Sequence, residues 1–242
     1  MQLFYTPDIE EAKVYALNEA ESRHCVKVLR LQEGAFVQLV DGKGGFYTAR
    51  IAKADPKHCA LEITAVERDF GKRPYRLHIA IAPTKNTDRF EWFLEKATEA
   101  GIDEITPLIC GRSERRVLRT DRLFKRITSA VKQSLRAYHP VLNEPIDFAD
   151  FMKGLPAVPE GGKPEVLRCI AHCGHGPKHS LKETAQPGRD VLALIGPEGD
   201  FTPEEVAEAL RCGFIPLGLG ETRLRTETAG LAVCFELSFL NR

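Results

Sequence analysis

The C-terminal third of the chain contains two stretches with the same order of features: a short apolar run, a glycine turn and a helix start. In the first, the run Val191–Ile195 leads into Gly-Pro-Glu-Gly at residues 196–199, and residues 202–205 form a capping box. In the second, the apolar run at residues 214–219 leads into a glycine turn, and Thr226 is the predicted N-cap of the last helix. Open α/β sheets bind ligands at the carboxyl ends of their strands, so the repeated pattern predicts one ligand site between the two turns.

The chemistry of these turns suits a ligand with polar edges, such as a nucleotide. Glycine lets a ligand approach backbone N–H and C=O groups closely, and a helix start adds free N–H donors with partial positive charge. Two plain strand–turn–helix connections without a ligand are the alternative. A Rossmann dinucleotide site is not predicted, because no G-x-G-x-x-G follows any of the predicted strands.

The residues of these motifs resemble a known family, the bacterial small-subunit (16S) ribosomal RNA uridine N3-methyltransferases. The resemblance rests on the two turns, and it extends over nearly the whole chain. The further matching stretches are RHCVKVLRLQEG at 23–34, PTKNTDRFEW at 83–92 and KATEAG at 96–101. It implies an α/β fold of the SPOUT type, a trefoil-knotted parallel-sheet methyltransferase domain preceded by a small β-rich PUA-like barrel that binds RNA. It also implies S-adenosylmethionine as cofactor, 16S ribosomal RNA of the small subunit as partner, and a homodimer.

The polar segment at residues 67–74 is the predicted linker between two domains, 1–71 and 72–242. Before it, strands and one helix form a β-rich unit; after it, strands and helices alternate, which indicates a parallel sheet covered on both faces. A knot is expected only from the resemblance. The predicted strands are 2–5, 36–40, 46–51, 60–66, 77–82, 102–110, 166–171 and 191–195, and the predicted helices are 18–31, 88–100, 121–136, 147–153 and 226–240.

The predicted helix at residues 18–31 carries basic side chains at the spacing of one helical face. Arg23, Lys27 and Arg30 stand at i, i+4 and i+7, and the adjacent stripe of His24, Val28 and Leu31 is predicted to face the core. A basic stripe of this kind follows a phosphate backbone, or it is an ordinary solvated surface. With the resemblance, the predicted RNA-binding residues are Arg23, Lys27, Arg30, Lys85, Arg89, Arg115 and Arg136.

The ligand site between the two turns becomes a cofactor site through the resemblance. Backbone groups are expected to hold the adenine, and Leu219 and Leu224 are expected to pack on it. The predicted cofactor-binding residues are Ile195, Gly196, Pro197, Gly199, Leu217, Gly218, Leu219, Gly220, Leu224 and Thr226.

Methylation at N3 of uridine needs a proton acceptor and a cationic or N–H-rich pocket. The neutral base is a poor nucleophile, and loss of the N3 proton spreads negative charge onto O2 and O4. The predicted acceptor is Glu198, in the first turn, and the predicted stabiliser of the anion is Arg225, at the start of the last helix. The alternatives are that Glu198 caps a helix and that Arg225 pairs with Glu227 or with a phosphate.

Composition narrows the remaining possibilities. Thirty-four basic and 34 acidic residues balance, so an RNA surface has to come from local clustering. The start of the sequence lacks the pattern of a signal peptide, and no apolar run approaches a membrane span, which predicts a cytoplasmic protein without a membrane partner. The cluster Cys169, His172, Cys173, His175 and His179 matches no familiar zinc spacing, so no metal is predicted.

Two other functions stay open from the sequence. One is a related SPOUT enzyme that methylates a ribose 2′-hydroxyl, on transfer RNA. The other is a non-catalytic RNA-binding assembly factor. Methyl transfer from bound cofactor separates the enzymes from the assembly factor, and the methylated position, base or ribose, separates the two enzymes.

Overall fold

The computed structural model describes residues 2–158, 162 and 164–242, and it divides into two compact units. The first unit runs to Lys72 and includes Thr128–His139; the second consists of Arg73–Ile127 and Pro140–Arg242. The division after Lys72 falls inside the predicted linker. Residues 128–139 lie in the second of the two predicted domains, whereas the structure groups them with the first unit.

Contacts inside the first unit explain this grouping. The Nζ atom of Lys132 lies 2.8 Å from the Glu21 carboxylate, and the N–H of Gly44 donates to the carbonyl of Ala137 at 3.0 Å. The rings of Tyr5 and His139 stack with their centroids 4.7 Å apart. These partners are far apart along the chain, so local sequence patterns do not reveal them.

The first unit is built on a five-stranded sheet with the order β1-β3-β4-β5-β2. The predicted hairpin is confirmed: β3 and β4 pair antiparallel around the glycine-rich turn at 41–45. Alternate strand residues, among them Val37, Leu39 and Tyr47, are buried in one core. The elements are β1 (Leu3–Tyr5), β2 (Val14–Ala16), α1 (Glu19–Arg23), a π-helical turn (His24–Val28), β3 (Phe36–Val40), β4 (Phe46–Lys53) and β5 (Ala60–Glu67).

The predicted continuous helix at residues 18–31 is wrong beyond its first turn. Asn18 is the N-cap, with its side chain accepting from the N–H of Glu21 at 2.9 Å, but α1 ends at Arg23 and a π-helical turn follows. Arg30 has φ +55°, outside the helical region. A π-helical turn adds a residue per turn, so the i, i+4, i+7 face is not maintained.

The buried face of this segment also differs from the prediction. Cys25 and Ser22 are fully buried, whereas Val28, predicted to face the core, is 64% exposed and His24 is exposed. Arg23, Lys27 and Arg30 are all exposed, but they no longer lie on one α-helical face.

The second unit contains a seven-stranded sheet in which every strand pair is parallel, as predicted from the alternating pattern. The strand order is β12-β10-β11-β6-β7-β8, with β9 also paired to β7. The elements from residue 73 onward are β6 (Leu77–Ile81), α2 (Thr87–Ala100), β7 (Glu104–Ile109), α3 (Thr120–Gln133), β8 (Val141–Leu142), β9 (Ile146–Asp147), α4 (Phe148–Lys153), β10 (Leu167–Ala171), α5 (Leu181–Thr184), β11 (Val191–Ile195), α6 (Pro203–Arg211), β12 (Ile215–Leu217) and α7 (Thr226–Leu240). The part of α3 from Thr128 onward is grouped with the first unit.

Both faces of the central strands are covered. Ala80, Leu192 and Leu194 share one face and pack in a cluster with α4 and α6. On the other face, Gly230 of α7 packs closely against Ile81, since a Cβ added to it would lie 3.0 Å from the Cδ1 atom of Ile81. The central strands are therefore buried on both sides, which accounts for their continuous apolar sequences.

Two helix ends follow their sequence signals, whereas the predicted helix at residues 121–136 ends earlier, at Gln133. Gly101 takes the left-handed conformation, with φ 105°, at the end of α2, and Thr202 and Glu205 form the predicted capping box. At the last helix, however, Arg225 is the N-cap and Thr226 is the first helical residue. Among the described residues, none of the helices combines the length and the apolar character that a membrane span requires.

Candidate functional site

A cavity of about 610 Å³ lies over the carboxyl ends of three neighbouring strands of the second unit. Strand β10 is the middle one, because Ala171 at its end is in register with Ile195 of β11 and with Leu217 of β12. The walls of the cavity are the segments that follow these strands. The lining residues are Ala171, His172, Cys173, Lys178, Ile195–Glu198, Asp200, Leu217–Thr226 and Ala229.

The segment at residues 196–201, the first glycine loop, is fixed by hydrogen bonds on several sides. The carbonyl of Gly196 accepts from Oγ1 of Thr226 at 3.0 Å, which joins this loop to the start of α7. The Nη1 atom of Arg112 donates to the carbonyls of Gly199 and Phe201, at 2.9 and 3.3 Å. The loop also turns on itself, since the N–H of Asp200 donates to the carbonyl of Pro197.

Packing leaves no free space at Gly196. A Cβ there would lie 3.0 Å from the ring of Phe201, which is only 3% exposed. The glycine therefore permits close packing of the loop on Phe201 and keeps its backbone on the cavity wall.

The segment at residues 218–225, the second glycine loop, is more open. The N–H of Gly218 donates to the carbonyl of His179 at 2.9 Å, and Nη2 of Arg223 donates to the carbonyl of Glu198 at 3.2 Å. Gly220 has φ +111°, a conformation that requires glycine. Residues 220–223 are exposed, and Leu219 and Leu224 are half-buried beside the cavity.

A third wall of the cavity was missed by the sequence reasoning. It consists of His172, Cys173 and Lys178, from the segment between β10 and α5. Asp200 fixes this segment to the first glycine loop, because its Oδ2 atom accepts from the N–H of Cys173 at 2.9 Å. The predicted end of strand β10 was the available signal, since its carboxyl end had to meet those of its neighbours.

Nine of the ten predicted cofactor residues lie around this one cavity. The tenth, Gly199, is not among the lining residues; it lies against Arg112, and a Cβ at Gly199 would be 3.3 Å from that of Arg112. Gly199 therefore helps to hold the loop in place, because it allows close packing against Arg112.

The two predicted catalytic residues also line the cavity. Glu198 is exposed, and its Oε1 atom accepts from the backbone N–H of Lys85 at 2.9 Å, so it fixes the loop that precedes α2 without capping that helix, whose N-cap is Asn86. Arg225 is exposed at the start of α7. Glu227 is 3.8 Å from Nε of Arg89, and no ion pair joins it to Arg225 within the part of the chain that the structure describes.

The predicted RNA-binding residues that follow the linker in sequence differ in what their side chains contact. Arg115 is half-buried and donates to the carbonyls of Thr84 and Lys85, at 3.2 and 2.7 Å. Its side chain therefore has a structural role. Lys85 is exposed and pairs with Glu114 at 2.8 Å. Arg136 belongs to the first unit and is half-buried.

The Cys/His cluster does not converge. Cys169 is fully buried in β10, and His179 lies beside the end of β12, where it bridges to Leu217. In residues 2–158, 162 and 164–242, no group of three or more His, Cys, Asp or Glu side chains is placed to hold a metal ion.

Comparison with known proteins finds RNA methyltransferase families along both parts of the chain. The sequence model of a family described as "RNA methyltransferase domain" matches residues 71–238, and one described as "RNA methyltransferase PUA domain" matches residues 17–64. A curated relative from Synechocystis, named "Ribosomal RNA small subunit methyltransferase E", is 29% identical over 238 residues, which cover 96% of this chain and 75% of the relative.

Solved structures match the entire chain. A protein of Porphyromonas gingivalis, named "probable rRNA-methyltransferase", has a TM-score of 0.90 and 41% identity, with 100% of this chain and 98% of the other covered. The small-subunit methyltransferase E of Neisseria gonorrhoeae, solved bound to S-adenosylmethionine, has a TM-score of 0.88 and 27% identity, with the same coverage of 100% and 98%.

Proposed function

The chain belongs to the RNA methyltransferase family that matches residues 71–238, and we propose that it methylates N3 of a uridine in 16S ribosomal RNA of the small subunit. S-adenosylmethionine is the cofactor, as in the Neisseria relative. The observation that carries the proposal is the cavity at the ends of β10, β11 and β12, because two glycine loops with accessible backbone groups meet there. Its volume of about 610 Å³ is in the range of small-molecule sites.

Backbone groups of the second glycine loop would hold the adenine, apart from the N–H of Gly218, which already donates to the carbonyl of His179. Leu219 and Leu224, half-buried at the cavity, offer apolar surface for the faces of the base. When bound, S-adenosylmethionine supplies an electrophilic methyl group on a sulfonium.

The roles proposed for the catalytic residues follow from the chemistry of N3. Glu198 accepts the N3 proton, and Arg225 stabilises the negative charge that spreads onto O2 and O4. Both side chains are exposed at the same cavity, so a base that is splayed out of its RNA can reach them. The Oε1 atom of Glu198 bonds the N–H of Lys85, and a carboxylate has a second oxygen with which to receive a proton.

Three further features are part of the proposal. The family resemblance supports a trefoil knot in the second unit, a place in ribosome biogenesis, and the cytoplasm as location. A homodimer is supported by α7, on which Phe235 and Phe239 are 41% and 56% exposed and stack on each other with centroids 6.0 Å apart. Light scattering at micromolar concentration should give twice the monomer mass; a monomer would contradict the dimer.

The test of the reaction uses isolated small subunits, purified protein and S-adenosylmethionine with a labelled methyl group. Label should enter 16S RNA, and nuclease digestion should place it on the base, at N3 of uridine. Label on a ribose 2′-hydroxyl, or on transfer RNA alone, would favour the related SPOUT activity. Cofactor and RNA binding without methyl transfer would favour an assembly factor.

A further inference from the structure

The third wall of the cavity carries two hydrogen-bond donors that neither glycine loop provides. The side chains of His172 and Lys178 are both hydrogen-bonded to the backbone of Gly174. The N–H of Gly174 donates to Nδ1 of His172 at 3.1 Å, and Nζ of Lys178 donates to the carbonyl of Gly174 at 2.7 Å. One peptide segment therefore holds both side chains at the cavity that they line.

The bond to Gly174 fixes the tautomer of His172. In a neutral imidazole one nitrogen accepts and the other carries the proton, so acceptance at Nδ1 leaves the proton on Nε2. Burial lowers the pKa of His172, and the nearby Lys178 ammonium lowers it further, while Asp200 acts in the opposite direction. The ring is therefore neutral at neutral pH and offers an Nε2–H donor. Nε2 makes no hydrogen bond to any residue that the structure describes.

Lys178 lies close to the second glycine loop. A Cβ added to Gly218 would be 3.3 Å from the Cβ of Lys178, so the lysine stem runs beside the turn that is proposed to hold the adenine. The Lys178 ammonium has three N–H groups, and one of them is used by the carbonyl of Gly174. A positive charge and a neutral N–H donor thus stand together at the end of the middle strand.

We infer that Nε2–H of His172 and the ammonium of Lys178 form a subsite for the carboxylate of the amino-acid part of S-adenosylmethionine. The inference rests on the proposed function. A ligand that contacts both glycine loops passes over the end of β10, because β10 lies between β11 and β12. The carboxylate is the anionic group of this cofactor, and charge-assisted hydrogen bonds to it are the strong ones.

Two ligands test the subsite by calorimetry: S-adenosylhomocysteine, which has the carboxylate, and 5′-methylthioadenosine, which lacks the whole amino-acid part. The wild-type protein should bind S-adenosylhomocysteine more tightly. Lys178→Met and His172→Asn should each weaken its binding by about tenfold, the usual effect of one hydrogen bond to a charged group. Binding of 5′-methylthioadenosine should not change.

The histidine variants separate a local structural role from ligand contact. Asn retains an acceptor near the position of Nδ1, for the N–H of Gly174, but has no donor at the position of Nε2. Gln places an amide N–H₂ near the position of Nε2, so His172→Gln should retain more affinity for S-adenosylhomocysteine than His172→Asn. Lys178→Arg should likewise retain more affinity for S-adenosylhomocysteine than Lys178→Met. Lys182 is an exposed lysine of α5, and Lys182→Met should bind with the affinity of the wild type.

The outcomes distinguish the inference from the proposed function. A wild type that binds neither ligand overturns both. A wild type that binds both ligands equally, or variants that lose affinity for both ligands alike, overturn the subsite alone. Variants that bind S-adenosylhomocysteine normally but RNA weakly also overturn it, because the two donors would then serve a phosphate.

Discussion

The first and second glycine loops follow the two strands that flank β10 and share one sequence pattern, yet the structure holds them in different ways. The first glycine loop is fixed by Arg112, by the hydroxyl of Thr226 and by its own turn. The second is held at Gly218 and Arg223, and its residues 220–223 are exposed. The pattern thus predicts a ligand site between the two loops, whereas the contacts show that the first loop is bonded on several sides and that part of the second is exposed.

The largest expected effect concerns the proton acceptor in the first glycine loop. Glu198→Gln should lower turnover by about 10²–10⁴-fold, the usual contribution of a general base. Cofactor affinity and folding should persist, because the amide oxygen of Gln still accepts from the N–H of Lys85. Turnover of the variant should recover in part as pH rises, since more uridine is then deprotonated by the solvent.

The measurement is methyl transfer to small subunits as a function of pH, with Glu204→Gln as the matched control. Glu204 is an exposed acid of α6 outside the cavity, so this control should keep wild-type turnover. Near-normal turnover of Glu198→Gln at neutral pH would mean that another group, or water, accepts the proton.

The second prediction concerns the second glycine loop. Gly218→Val should abolish measurable cofactor binding, or weaken it by about 5–150-fold, which corresponds to the 1–3 kcal/mol that overpacking costs. A Cβ at residue 218 already lies 3.3 Å from the Cβ of Lys178, so valine would crowd another residue that lines the cavity.

Calorimetry with S-adenosylhomocysteine measures this loss, and thermal unfolding serves as its control, because the open loop should tolerate the change without loss of the fold. Normal affinity in a folded Gly218→Val protein would mean that the cofactor site is misplaced.

The third prediction compares the two arginines that bond the loops. Arg112→Met removes hydrogen bonds to the carbonyls of Gly199 and Phe201, and it should lower the free energy of unfolding by about 1–3 kcal/mol. Arg223→Met removes one exposed bond of 3.2 Å to the carbonyl of Glu198, and it should cost less than about 0.5 kcal/mol. Denaturant unfolding of both variants measures the difference, and equal losses would contradict the contrast between the loops.

The sequence predicted the elements of this site well where signals are local. Val191–Ile195 and Thr226–Leu240 have the predicted bounds, because a continuous apolar run and a glycine turn mark a buried strand, and a polar loop marks the helix start. The carboxyl ends of parallel strands then bring the two glycine loops to one cavity.

What the sequence did not predict depends on contacts between distant residues. The π-helical turn at His24–Val28 has no local sequence signal, and it is where Cys25 enters the core beside Cys59, with the sulfur atoms 4.0 Å apart. The structural roles of Arg112 and Arg115 were equally hidden, since the sequence does not tell which arginine side chains donate to backbone carbonyls.

The last prediction concerns basic residues without such structural roles, and its expected effect is the smallest. Arg23, Lys27 and Arg30 are exposed on the first unit, and of the three Arg23 has an ion pair, at 3.3 Å from Glu19. Replacing all three by Ala should reduce the slope of log affinity against log salt by about 0.7–0.9 for each lost phosphate contact, because fewer counterions are released. Filter binding to 16S RNA over a salt series measures the slope.

Lys13, Lys53 and Lys57, exposed elsewhere on the same unit, provide the matched triple control. Since the three residues do not share one helical face, a slope equal to the control's would identify them as ordinary surface and leave RNA binding to other residues.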